Sequence, residues 1–153
     1  MRAEPGVWMR RRGWLVAGAL ALLGCGQPDD PQAALDATVQ RLQDALEAKD
    51  ADAVLDLLDA KFRAQSGESD GLDREWARKT MALMFLRYQQ VKVIAVTRSS
   101  RLDTAGGQTG RTEAQVLVTG AQGLIPERAS PYAVRLEWWR EGGDWKLRDL
   151  HWQ

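Results

Sequence analysis

Between Pro31 and Ala48 apolar residues recur at Leu35, Val39, Leu42 and Leu46, a spacing that lays one stripe along a helix. Asp36, Gln40, Gln43, Asp44 and Glu47 take the other face. Lys49-Asp50 ends this helix, and Asp50 or Asp52 can cap the next. A short second helix is predicted over Ala51–Ala60, where Val54, Leu55, Leu57 and Leu58 cover more than one stripe and so imply burial between other elements. Phe62–Ala64 predicts a brief strand and Gln65–Gly71 a polar turn. A third helix is predicted over Leu72–Tyr88, with Asp70 as N-cap and with Asp73 and Glu75 near the positive end of its dipole. Trp76, Met81, Met84, Phe85 and Tyr88 give it a wide apolar face.

After Tyr88 the period changes to two, the signature of strands. Gln89–Arg98 sets Val91, Val93 and Ala95 against Ile94 and Val96. Ser99–Gly110 reads as a loop, Arg111–Thr119 as a strand with Ala114, Val116 and Val118 inward, and Gly120–Pro131 as a connection. Tyr132–Glu141 alternates most clearly, with Tyr132, Val134, Leu136 and Trp138 against Ala133, Arg135, Glu137 and Trp139. Gly142-Gly143 suits a hairpin turn, because glycine takes positive φ without steric cost. Asp144–Trp152 returns as the last strand. There Trp145 and Leu147 share parity with His151, while Leu150 and Trp152 do not. A bulge near Arg148-Asp149 would restore one apolar face and change where His151 points. The pattern predicts an α+β fold: three N-terminal helices packed on a strongly curved, mainly antiparallel sheet of about four strands.

The start of the chain has another character. Arg10-Arg11-Arg12 precedes an apolar run, Trp14–Leu23, which closes on Leu22-Leu23-Gly24-Cys25. A charged stretch, a short apolar run and small residues at the cut make a signal peptide. The run falls short of the roughly 20 residues that span a bilayer as a helix. Leu22–Cys25 resembles the bacterial lipobox. That resemblance implies cleavage between Gly24 and Cys25 and acylation of Cys25, the only cysteine, by diacylglycerol and then a fatty acid such as palmitate. Two or three acyl chains anchor firmly, at about 0.8 kcal/mol per buried methylene. Gly26, where an Asp would favour retention at the inner membrane, points to the outer membrane with the domain facing the periplasm. Glu4, Pro5 and Trp8 suit a leader poorly, so translation is expected to start at Met9. The domain reading is therefore a signal peptide over 1–24, a tether over 25–30 and a folded domain over 31–153.

Composition narrows function mainly by exclusion. Removing residues 1–24 leaves 17 basic and 20 acidic side chains. That balance argues against a nucleic-acid binder and against a polybasic membrane reader. With its lone cysteine acylated, the domain has neither a disulfide nor a reactive thiol.

Two segments carry a resemblance to the nuclear-transport-factor-2-like superfamily. Leu46-Glu47-Ala48-Lys49-Asp50-Ala51-Asp52-Ala53-Val54-Leu55-Asp56-Leu57-Leu58 looks like its first helix–helix junction. Arg135-Leu136-Glu137-Trp138-Trp139-Arg140-Glu141-Gly142-Gly143-Asp144-Trp145-Lys146-Leu147 looks like its last hairpin. The resemblance spans about Pro31 to Trp152. It implies a cone, a curved sheet wrapped around helices with a pocket at its wide end, and often dimers through the outer face of the sheet. That superfamily holds isomerases, dehydratases, polyketide cyclases and many binding modules, so fold alone does not assign function.

Candidate chemistry is sparse. His151, the only histidine, forms with Asp149 an i, i+2 pair that an acid–base enzyme of the isomerase, dehydratase or cyclase type would use in the cone pocket. No residue-by-residue match to a catalytic motif of the superfamily supports this, so no catalytic residue is carried over. One histidine and no free thiol make a metal site unexpected, and no nucleotide or phosphate fingerprint implies a cofactor. Trp76, Met84, Tyr88 and Trp138 are the expected pocket lining. Trp139, with Arg135 and Trp152, is the expected interface patch. The reading that results is a lipid-anchored envelope protein without catalysis, whose domain binds a small apolar ligand or an envelope protein partner.

Overall fold

The computed structural model describes residues 30–67, 69–122 and 125–153. The predicted leader, Gly24, Cys25 and most of the tether lie outside the described residues. The elements are α1 (Pro31–Ala48), α2 (Ala51–Leu57), β1 (Leu58–Ser66), β2 (Ser69–Asp73), α3 (Arg74–Arg87), β3 (Gln90–Leu102), β4 (Thr109–Gln122), β5 (Ile125–Glu141) and β6 (Asp144–Trp152). The strands form one curved sheet in the order β2-β1-β6-β5-β4-β3. Every neighbouring pair is antiparallel except β1 and β6, which run parallel. No helix among the described residues is long and apolar enough to cross a membrane.

The α+β class holds, but the sheet has six strands rather than about four, and the helices do not form one N-terminal block. Two strands precede α3. Leu58 ends the helical pattern of Val54 and Leu57 yet already pairs with Leu147. Only a partner far along the chain makes that stretch extended. Ser69–Asp73 is polar and mostly exposed, so it carries no apolar alternation, and β1 orders it through backbone pairing. That pairing also moves the start of α3. Asp73, not Asp70, is the N-cap, its carboxylate accepting the Trp76 N–H at 2.9 Å. Half of the predicted loop at Ser99–Gly110 and most of that at Gly120–Pro131 belong to strands. Pro131 is tolerated because β6 gives β5 no partner beyond Ala133, so its missing N–H breaks no ladder on that side.

The junction of α1 and α2 closes as its sequence suggests. Asp30 accepts the Gln32 N–H at 2.9 Å, with Pro31 next to it in the first turn of α1. Asp50 caps α2 by accepting the Ala53 N–H at 3.0 Å. Lys49 takes the left-handed conformation between the helices, and its ammonium donates to the Phe85 and Tyr88 carbonyls at 3.0 Å each. A cation is thereby placed on the negative end of α3.

α1 also covers the sheet edge. β3 is an edge strand, and an edge leaves backbone groups unpaired. Side chains of α1 satisfy several of them. Gln32 Nε2 donates to the Ser100 carbonyl at 3.1 Å, Gln43 Nε2 to the Val93 carbonyl at 2.9 Å, and the Val93 N–H donates to Glu47 Oε1 at 3.1 Å. The Val93 N–H, helped by Lys92 and Gln43, holds the Glu47 carboxyl below its ordinary value.

Leu35, Phe62, Ala64, Trp138, Trp145 and Leu147 form the main core. α1 approaches β4 so closely that a Cβ at Gly110 would sit 2.7 Å from Leu35 Cδ2. Both buried indoles find acceptors. Trp138 Nε1 donates to Thr112 Oγ1 at 3.1 Å and Trp145 Nε1 to the Pro31 carbonyl at 3.2 Å.

Two tests follow from these contacts. Thr112→Val removes the acceptor from a fully buried N–H and should cost about 1–3 kcal/mol in urea denaturation. Glu47→Gln should lower the melting temperature fully above pH 4.5, the ordinary carboxyl value. Because the folded pKa is depressed, that stabilisation is lost as pH falls through the folded value, so the two melting curves should converge in acid.

Candidate functional site

A one-residue bulge in β6 decides which side chains reach the interior. Trp138 pairs with Leu147 and Glu137 with Asp149, so Arg148 is the extra residue. On its far side Leu150 and Trp152 face inward opposite Leu136 and Val134, while Asp149 and His151 face outward opposite Glu137 and Arg135. Trp152 stacks on Trp76 with ring centroids 5.7 Å apart and an interplanar angle of 16°. The expected patch of Trp139, Arg135 and Trp152 is therefore divided. Trp139 and Arg135 share the outer face, and Trp152 belongs to the inner one.

Between the helices and the inner face of the sheet lies a cavity of about 330 Å³. α1 contributes Val39, Leu42 and Leu46, and α3 contributes Trp76, Met81, Met84 and Phe85. The sheet contributes Val93, Ala95, Val116, Val118, Val134, Leu136 and Leu150. Of the four residues considered as pocket lining, Trp76 and Met84 line this space. Tyr88 and Trp138 do not line the cavity. Tyr88 lies against β4, where a Cβ at Gly120 would fall 2.6 Å from its ring. Trp138 is wholly buried in the core beside Leu35 and Trp145. The inward parity of β4 and β5 already marked the valines. It did not mark Arg98, because the predicted strand ended there.

Among the described residues four polar side chains reach the cavity: Gln43, Thr80, Thr112 and Arg98. Gln43 is spent on the Val93 carbonyl, and the Thr112 hydroxyl on Trp138 and Ser100, the latter at 2.9 Å. Arg98 is exposed while lining the cavity, so the cavity meets solvent beside it. No Asp, Glu, His, Lys, Tyr or Cys among the described residues lines this space. Asp149 and His151 lie on the opposite face of the sheet, so the expectation of a dyad in the cone pocket fails on geometry. No hydrogen bond joins the two.

The outer face is polar. A trough of about 670 Å³ crosses five strands and carries Gln65, Glu113, Gln115, Arg135 and His151. Glu113 pairs with Arg135 at 3.5 Å and with Arg101 at 3.9 Å, and Glu137 pairs with Arg111 at 3.9 Å. Trp139 is 45% exposed, but its ring is covered by Arg148, whose guanidinium carbon sits 4.6 Å from the ring centroid. Arg148 also lies 3.7 Å from the buried Asp59 carboxylate. Among the described residues no three His, Cys, Asp or Glu side chains cluster as metal ligands would.

Solved structures share this fold. A protein of unknown function with a cystatin-like fold from Nostoc punctiforme aligns at a TM-score of 0.60 and 14% identity, over 78% of this chain and 87% of its own. An NTF2-like protein of unknown function from Pseudomonas putida aligns at 0.65 and 11%, over 80% and 84%. A hexachlorocyclohexane dehydrochlorinase from Novosphingobium barchaimii aligns at 0.63 and 12%, over 79% and 84%. No family model matches the sequence, and no curated protein matches it. The domain has the NTF2-like, cystatin-like fold, which is shared by enzymes and by proteins of unknown function.

Proposed function

We propose that this chain is a lipid-anchored envelope protein whose domain holds a small apolar ligand between its helices and its sheet, without chemistry of its own. The observation that carries the binding reading is the cavity. It is lined mostly by aliphatic, aromatic and methionine side chains, as ligand sites usually are. None of its described lining residues is a group that exchanges protons near neutral pH, so general acid–base catalysis has no agent there. Acid–base enzymes of similar fold need such a group in their pocket. The anchoring reading rests on Leu22–Cys25 and the apolar run before it. Acylation at Cys25 would place the domain at the envelope, by this reading the periplasmic side of the outer membrane. The short tether would keep the cavity near a source of apolar molecules. An envelope protein partner or a second copy at the outer face is the other occupant this reading allows. The cover of Arg148 over Trp139 makes that face a weaker apolar anchor than the cavity.

The ligand reading is tested with 1-octanol, followed by thermal shift and by tryptophan fluorescence. Octanol should raise the melting temperature of the wild-type domain in a concentration-dependent way. Val116→Trp, which fills the space, should remain folded and lose at least tenfold in affinity. His151→Ala and Asp149→Ala should leave binding unchanged, and a loss in either would move the site to the outer face. For the anchor, radiolabelled palmitate should mark the wild-type chain and not Cys25→Ala, and the variant should leave the membrane fraction.

A further inference from the structure

Among the described residues the cavity has one charged residue at its rim, and a bulge puts it there. In β3, Ala95 pairs with Val116 and Thr97 with Gln115, so Val96 is the extra residue. Before the bulge Val91, Val93 and Ala95 face inward. After it the inward parity passes to Arg98, which pairs with Ala114. Without the extra residue Thr97 would take that place and Arg98 would point outward with the ion pairs of the outer face. Bulges re-aim side chains in this way.

Arg98 has no carboxylate within ion-pair distance among the described residues. Its Nη1 donates to Gln40 Oε1 at 3.2 Å, a neutral acceptor that leaves most of its five N–H donors free for something else. The acidic side chains of α1 are engaged elsewhere. Asp44 accepts from Gln40 Nε2 at 2.9 Å, Asp36 from Gln32 Nε2 at 3.3 Å, and Glu47 takes Lys92 and the Val93 N–H at 3.1 Å each. Glu113, next to Ala114 on β4, points outward to Arg135 and Arg101. An unpaired guanidinium, steadied by Gln40, thus stands where an otherwise apolar space opens to water.

We propose that the ligand of this cavity is an amphipathic anion, a carboxylate on an apolar body, whose head group is bound by Arg98 while its tail lies against Val93, Val116, Val118 and Met84. This deepens the apolar-ligand reading and rests on it. A guanidinium matches a carboxylate in a two-pronged, charge-assisted pair, and the rim position leaves the head group partly hydrated, so the tail is buried without burying its charge. At about 330 Å³ the cavity lies at the small end of ligand pockets, which suits a medium-chain fatty acid or a compact aromatic acid better than a long-chain lipid.

Octanoate and 1-octanol share a tail length and differ in head-group charge. Titrated calorimetrically into the wild-type domain, octanoate should bind about tenfold tighter than octanol, with a preference that shrinks as salt is raised. Arg98→Met keeps an apolar stem and removes the charge. It should bring octanoate down to the affinity of octanol, and an unchanged circular-dichroism spectrum and melting temperature should show that the variant is folded. Octanol binding as well as octanoate to wild type, or a carboxylate preference that survives in Arg98→Met, overturns the assignment of Arg98 and leaves the apolar-ligand reading standing. Failure of both probes to bind wild type overturns both.

Discussion

The single extra residue in β6 sets the character of the whole interior. Had β6 kept strict alternation past Leu147, Asp149 and His151 would face the helices, while Leu150 and Trp152 would face water. A carboxylate would then take the place of Leu150 in the cavity wall. With Arg148 bulged out, Leu150 joins the apolar wall, Trp152 stacks on Trp76, and the two titratable groups join the charged outer face. Arg148 is held in that position by the Trp139 ring on one side and the buried Asp59 carboxylate on the other. A buried carboxylate needs a cation nearby, and a bulge needs somewhere to send its side chain. Each requirement meets the other here.

α1 plays the complementary part. A sheet this curved ends in an open edge, and β3 would otherwise present unpaired backbone to solvent. Gln32, Gln43 and Glu47 cover part of that edge from the polar flank of a helix whose apolar stripe builds the cavity wall. One helix therefore closes the edge and lines the pocket, with different faces. The same flank holds Gln40 beside Arg98, so edge closure and the proposed ligand clamp use neighbouring turns of α1.

Fold resemblance does not decide between binding and catalysis. The structures that align with this chain include a dehydrochlorinase and proteins of unknown function, all at identities that carry the fold alone. The proposed binding role rests instead on the local chemistry of the inner face, where among the described residues an apolar lining carries one guanidinium at its rim.

Periodicity in the sequence determined α1 almost to the residue, the Gly142-Gly143 turn, the extent of the final strand, and the inward placement of Val116, Val118, Val134 and Leu136. These are local matters, settled by spacing, caps and turn chemistry. Even the need for a bulge near Arg148 was legible, since two apolar pairs in one strand had opposite parity. The tertiary structure alone extended the brief strand expected at Phe62–Ala64 to Leu58–Ser66, because its partner β6 lies far along the chain. It alone placed Tyr88 and Trp138 outside the cavity, separated Trp152 from Trp139, and turned Arg98 inward. For Trp152 and Arg98 the physical reason is the same. Alternation tells which residues share a face, but only the partner strand fixes where the register slips, and one slipped residue exchanges the two faces for everything beyond it.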